Sequence, residues 1–140
     1  MTQHVIKATS DQARDWYRRG AQDLRLSDAI DASSGASMTV GFARYGAGES
    51  NPWTMTYDEA LIITRGSFSV ESGGATTTAG PGEVIYLRNG TDLVYRAEEV
   101  TELVYVSHPH WMEATAASPF AARIDEFQLD PQHPAPAEIR

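Results

Sequence analysis

Glu59 is the residue around which chemistry can be built. It heads Glu-Ala-Leu-Ile-Ile-Thr, an apolar run that reads as a buried strand from Glu59 to Thr64. A carboxyl group held in an apolar interior has a raised pKa and can give or take a proton near neutrality. The same carboxyl tied by hydrogen bonds to a tyrosine or an arginine would be a structural post. Tyr57 shares the strand parity of Glu59, so both face the same way if the strand begins early. It can donate a proton, bind a substrate carboxylate or pack. Asp58 then faces the other way and suits a loop cap. Trp53, behind Pro52, is a packed corner or a stacking platform. Tyr45, Tyr86 and Tyr95 fall on three separate core strands. With Trp53 they are the candidate ligand-binding residues, because tyrosines around one glutamate suit a small, partly polar molecule.

Two further sets of residues have metal- or anion-binding types. His108 and His110 form a His-x-His at the end of the last core strand. With Glu59 they are a candidate metal set, against which Pro109 argues for a chain that turns away. Arg88 and Arg96 can anchor an anion at a barrel mouth, or form surface pairs with Glu83 or Glu98. The sequence has no Gly-rich phosphate loop with a lysine and no Gly-x-Ser-x-Gly elbow. Lys7 is the only lysine.

The elements that must position these residues are short. The chain has 140 residues, enough for one core. The absence of cysteine removes disulfides and thiolate chemistry and fits a cytoplasmic protein. A net charge of −8 disfavours nucleic acid, and no apolar run is long enough for a membrane helix. No long apolar segment marks a signal peptide in the first residues.

Ser10 to Gly20 reads as a helix, capped by Ser10 and ended by Gly20. Asp23 to Ile30 reads as an edge strand and Ser37 to Tyr45 as a better one, followed by a loop from Gly46 to Pro52. Glu59–Thr64 and Ser67–Ser72 form a hairpin across Arg65-Gly66. Ala75–Ala79, Glu83–Leu87, Leu93–Ala97 and Glu102–Ser107 complete an antiparallel sandwich or barrel. Trp111 to Ala117 forms a short helix. Ser118-Pro119 starts another, with Phe120, Ile124 and Phe127 on one face. The tail from Asp130, with its three prolines and His133, is expected to be extended. The organisation is one domain in three parts: residues 1–30, a β-barrel core at 31–109, and a helical segment and tail at 110–140.

Residues 37–107 resemble the two motifs of the cupin superfamily. Six residues separate Glu59 from Gly66, as motif one requires; Gly82 and Gly90 hold the glycines of motif two. Within the superfamily, Pro52-Trp-Thr-Met-Thr-Tyr-Asp-Glu59 is similar to the segment of the ethanolamine-utilisation EutQ family. Gly82-Glu-Val84 and Ser107-His-Pro-His-Trp111 agree with it. The resemblance implies an all-β jelly-roll barrel with short flanking helices, and Glu59 pointing into it. It also marks what is missing. The motif-one histidines fall at Pro52 and Thr54, or at Trp53 and Met55; the motif-two histidine falls at Leu93 and its proline at Arg88.

Of the usual metal set only Glu59 is left, and one carboxylate does not make a transition-metal site. The expectation is therefore a small-molecule enzyme using metal-independent acid/base chemistry of lyase, isomerase or cyclase type. Glu59 and Tyr57 would carry it, with no cofactor. Three alternatives stand beside it: acetate kinase-like phosphoryl transfer, implied by the family; a divalent metal at Glu59, His108 and His110; and a non-catalytic binding or assembly protein. A homodimer is expected, paired through the N-terminal edge strand.

Overall fold

Period-two alternation of apolar and polar residues carries most of the chain into strands, and glycine turns fold them against one another. The structure, a computed structural model, describes residues 4–130; the proline-containing tail and His133 lie outside them. The strands are β1 (Tyr17–Arg19), β2 (Leu24–Ile30), β3 (Thr39–Tyr45), β4 (Ser50–Thr54), β5 (Asp58–Arg65), β6 (Phe68–Ser72), β7 (Ala75–Ala79), β8 (Val84–Leu87), β9 (Asp92–Ala97), β10 (Thr101–His108) and β11 (Phe127–Leu129). One α-helix, α1 (Trp111–Ala116), follows β10. The strands form two antiparallel sheets, ordered β11-β1-β2-β3-β10-β5-β8 and β4-β9-β6-β7. A single cluster fills the space between them, with Phe68 and Ala97 from one sheet against Leu61, Ile63 and Leu103 from the other. This is the expected all-β barrel.

Several local expectations fail, each because a distant contact overrides a local preference. Ser10–Gly20 is no α-helix. A 3₁₀ turn spans Ser10–Gln12, and Asp15 takes a positive φ of 36° that a helix cannot continue. The chain then runs as β1, paired with both β2 and β11, while Trp16 packs on Ala13 and Phe42. Consequently β2 is flanked on both sides and is not the exposed edge expected to pair two copies. The loop expected over Gly46 to Pro52 holds only as far as Glu49; its last three residues open β4. Pro52 is tolerated there because β4 is the outermost strand of its sheet and the missing N–H costs no ladder bond.

The pair expected as a β5–β6 hairpin lies in different sheets. Arg65-Gly66 carries the chain from one layer to the other. Gly66 is required at that corner: its φ is +90°, and a Cβ would stand 2.2 Å from the Val100 carbonyl oxygen. At the C-terminal end α1 forms as expected. Ser118 Oγ accepts from the Phe120 amide at 3.0 Å, but the segment becomes a 3₁₀ turn at Ala121–Glu126 and then β11. Phe127 therefore leaves the expected helical face and joins the barrel wall.

Candidate functional site

Inward-facing residues of both sheets enclose a cavity of about 50 Å³. Tyr45, Trp53, Tyr57, Glu59 and Tyr95 all line it, so five of the six residues singled out from the sequence converge. The sixth, Tyr86, does not. It pairs with Ala60 on the outer side of β8, is 58% exposed, and donates its hydroxyl to Asp58. Its parity puts it on the opposite face from Leu87, which is buried opposite Glu59.

Glu59 is 7% exposed. Tyr95 donates to its Oε1 at 2.7 Å, and its other oxygen has no hydrogen bond among the described residues. Burial pushes the Glu59 carboxyl up to about 7; the Tyr95 hydrogen bond opposes this and the charge of Asp28 adds to it. Tyr57 is also buried, and its hydroxyl oxygen accepts from Trp53 Nε1 at 2.9 Å. Burial and the Glu59 charge hold Tyr57 and Tyr95 well above the ordinary tyrosine range, so both keep their protons at neutral pH. Tyr45 is raised chiefly by burial, against a hydrogen bond from Asn51.

Four residues of the site escaped the sequence reading: Asp28, Asn51, Tyr105 and Trp111. Asp28 is a second carboxylate, half-buried behind the lining and bonded to two of its residues. Tyr105 donates to its Oδ1 at 2.6 Å, and Trp111 Nε1 reaches its two oxygens at 2.9 and 3.2 Å. Burial raises the Asp28 carboxyl, opposed by those hydrogen bonds. A register shift between Asp28 and Ile30 breaks the β2–β3 ladder beside it, as bulges do where a side chain is re-aimed. Gly41 makes the Tyr105 contact possible, since a Cβ there would lie 2.2 Å from the tyrosine hydroxyl. The usable signal was parity: Asp28 continues the Leu24-Leu26 face of a strand that was recognised. Asn51 was hidden by the unrecognised β4, which aims it inward opposite Tyr95.

The mouth is closed by the C-terminal segment. Trp111 and Phe127 meet Trp53 edge to face, with centroids 6.3 and 5.8 Å away. Arg19 stacks on Trp53 and Phe127, donates to the Pro52 carbonyl at 3.0 Å and pairs with Glu126 at 2.7 Å. Arg96 pairs with Glu71 rather than Glu98.

The metal set of Glu59, His108 and His110 is not assembled. His108 Nδ1 donates to the Ser37 carbonyl at 2.9 Å. His110 bonds the Ala36 carbonyl through Nε2 at 3.0 Å and Thr39 Oγ1 through Nδ1 at 2.7 Å. Both rings thus fasten the β2–β3 connection, away from the cavity lining. Among the described residues no three His, Cys, Asp or Glu side chains are grouped to hold an ion. The donor set does not fit a protein-ligated metal.

The family model of the ethanolamine utilisation protein EutQ matches residues 5–113. The chain is 29% identical over 84 residues to the acetate kinase EutQ of Escherichia coli (strain K12), covering 60% of this chain and 36% of that protein. It therefore spans about a third of that curated relative. A solved structure of unknown function from Rhizobium leguminosarum is 31% identical, with a TM-score of 0.64, over 77% of this chain and 100% of that one. An RmlC-like cupin from Shewanella frigidimarina superposes with a TM-score of 0.62 at 13% identity, over 78% and 95% of the two chains, and so shares the fold. The chain belongs to the EutQ family, and its two sheets form a cupin barrel.

Proposed function

We propose that the barrel cavity is a metal-independent acid/base site for a small molecule, with Glu59 as the group that exchanges the proton. One observation carries this reading: a buried carboxyl lines the cavity, fixed through one oxygen by Tyr95 with the other unbonded among the described residues, and burial pushes its acidity up to about 7. That value suits proton transfer in both directions at neutral pH. The Glu59 carboxylate takes a proton from a substrate atom, and the resulting acid returns it at the same or a neighbouring atom. Tyr57 stays protonated. Because its oxygen accepts from Trp53, its own O–H is left to stabilise negative charge that develops on the substrate. Isomerisation, elimination and cyclisation all use this pair of moves.

The test is exchange of acidic C–H groups for deuterium in heavy water, followed by NMR over a panel of small carbonyl and imine compounds. Wild type should label at least one compound and Glu59→Gln none, with circular dichroism unchanged. Full labelling by the glutamine variant would remove Glu59 from the role. Binding without labelling in either protein would favour a non-catalytic binding module.

The E. coli relative's name supports a second reading, phosphoryl transfer to acetate. Such chemistry needs cations around the phosphates, and the cavity lining contains no lysine or arginine. A thermal-shift titration with ATP and magnesium separates the two readings: stabilisation would favour the kinase. A cytoplasmic homodimer belongs to the same proposal and is checked by analytical ultracentrifugation. Among the described residues, no helix is long and apolar enough to cross a membrane.

A further inference from the structure

The polar groups of the cavity do not balance. Most of its donors are used within the protein: Tyr95 on Glu59, Tyr105 and Trp111 on Asp28, and Trp53 on Tyr57, whose own O–H is the donor left over. Two of its acceptors are left over as well. Asn51 is 4% exposed and lines the cavity, and its Oδ1 is buried with no hydrogen-bond partner. A buried acceptor left in this state is costly, so such a group in a folded core calls for an explanation. The second oxygen of Glu59 faces the same space without a partner among the described residues. Glu59 gives the lining negative charge above neutral pH, and Asp28, behind the lining and bonded to Tyr105 and Trp111, adds to that potential. The nearest guanidinium, Arg19, is outside the lining and already committed to Glu126. The remaining wall is ring faces and edges from Tyr45, Tyr57, Phe68, Tyr95 and Tyr105.

We propose that the cavity takes a small protonated amine, whose N–H groups go to Glu59 and Asn51 Oδ1 and whose charge sits among the tyrosine rings. Three independent features select this chemistry: unpaired acceptors, carboxylate charge, and π-faces that attract cations. A carboxylate ligand would meet the like charge of Glu59 and the unpaired Asn51 carbonyl. The space of about 50 Å³ holds only a few heavy atoms, so the ligand is a very small amine or the amino end of a larger one. The proposal rests on the acid/base reading of the same cavity. There, an ammonium group held beside Glu59 favours the ionised carboxylate, the form that accepts a proton.

The test uses three ligands of matched size, ethylammonium, ethanol and acetate, titrated into the full chain at about pH 8, where Glu59 is ionised. Binding is read from the indole N–H resonances of Trp53 and Trp111. A three-heavy-atom ligand is limited to millimolar affinity, so titrations run to about 100 mM. Ethylammonium should saturate, with ethanol and acetate at least about tenfold weaker. Asn51→Asp keeps the acceptor and adds charge, so it should bind ethylammonium more tightly; Asn51→Leu, which removes the acceptor, should weaken it. Equal or tighter binding of acetate, equal binding of all three, or no binding of ethylammonium would each overturn the assignment. A parallel carbon-13 titration of the Glu59 carboxyl separates the two levels. If Glu59 titrates near 7 and the amine does not bind, only the ligand class fails. If Glu59 titrates in the ordinary carboxylate range, the acid/base reading fails whatever binds.

Discussion

Asp58 and Glu59 are neighbours on β5, and each accepts a hydrogen bond from a tyrosine hydroxyl, Tyr86 for Asp58 and Tyr95 for Glu59. Their acidities diverge all the same. The Tyr86 hydroxyl and the Asn89 amide hold the Asp58 carboxyl below its usual range in solvent, whereas burial pushes Glu59 to about 7. Both tyrosines favour the ionised form, so the hydrogen bond cannot be what separates the pair. Water is. Strand parity puts one carboxylate outside the barrel and the next inside it, and that single step decides which can act as a base at neutral pH.

The strongest way to break the contrast is to let water in. Phe68 is fully buried between Tyr45 and Tyr95. Phe68→Ala should cost about 3–5 kcal/mol in chemical denaturation. It should also bring the Glu59 titration down toward that of Asp58, which carbon-13 NMR would read; an unmoved Glu59 would mean that solvent does not control its acidity.

Next in size is the pH dependence of stability. The Glu59 pKa is raised in the folded state relative to the unfolded chain, from 4.5 to about 7. The folded state therefore binds more protons between those values. The associated stability is fully present below about pH 4.5 and is lost as pH rises through about 7. Its size is roughly 3 kcal/mol. Glu59→Gln should flatten urea-derived stability across this window; an unchanged slope would contradict the assigned acidity.

Tyr95→Phe removes the bond that opposes desolvation. Glu59 should titrate higher than in wild type, at a cost of about 1–3 kcal/mol. A downward shift would show that Tyr95 does not stabilise the carboxylate. Smallest is the outer counterpart, Tyr86→Phe. Asp58 should rise toward the ordinary carboxylate range with the melting temperature unchanged.

The β5 contrast also shows what the sequence could and could not reveal. Parity along one strand is local, so the inward direction of Glu59 and Tyr57 was legible from Glu59 to Thr64 alone. Pairing between strands is not local. Its place on a core strand alone suggests that Tyr86 joins the ligand wall; only its register with Ala60 shows that it faces out. The separation of β5 and β6 into different sheets has the same origin, since nothing near Arg65-Gly66 distinguishes a hairpin from a crossover. Asp28 shares the parity of Leu24 and Leu26, but a strand with the pattern of an edge gives no reason to expect a half-buried carboxylate there. The N-terminal helix signals were genuine local preferences, overruled by pairing with β11, about a hundred residues away in the chain.

That last pairing has a consequence in time. Arg19 meets Glu126 across 107 positions of sequence, and β11 is the final described strand to be made. Contacts of such separation bear the largest loop-closure entropy and are expected late on the folding path. Until Phe127 arrives, the mouth over Trp53 lacks one of the rings that cover it, so the water exclusion that raises Glu59 is expected to be incomplete. The basicity assigned to this residue is then expected to be completed at the end of folding, when β11 docks and covers the mouth.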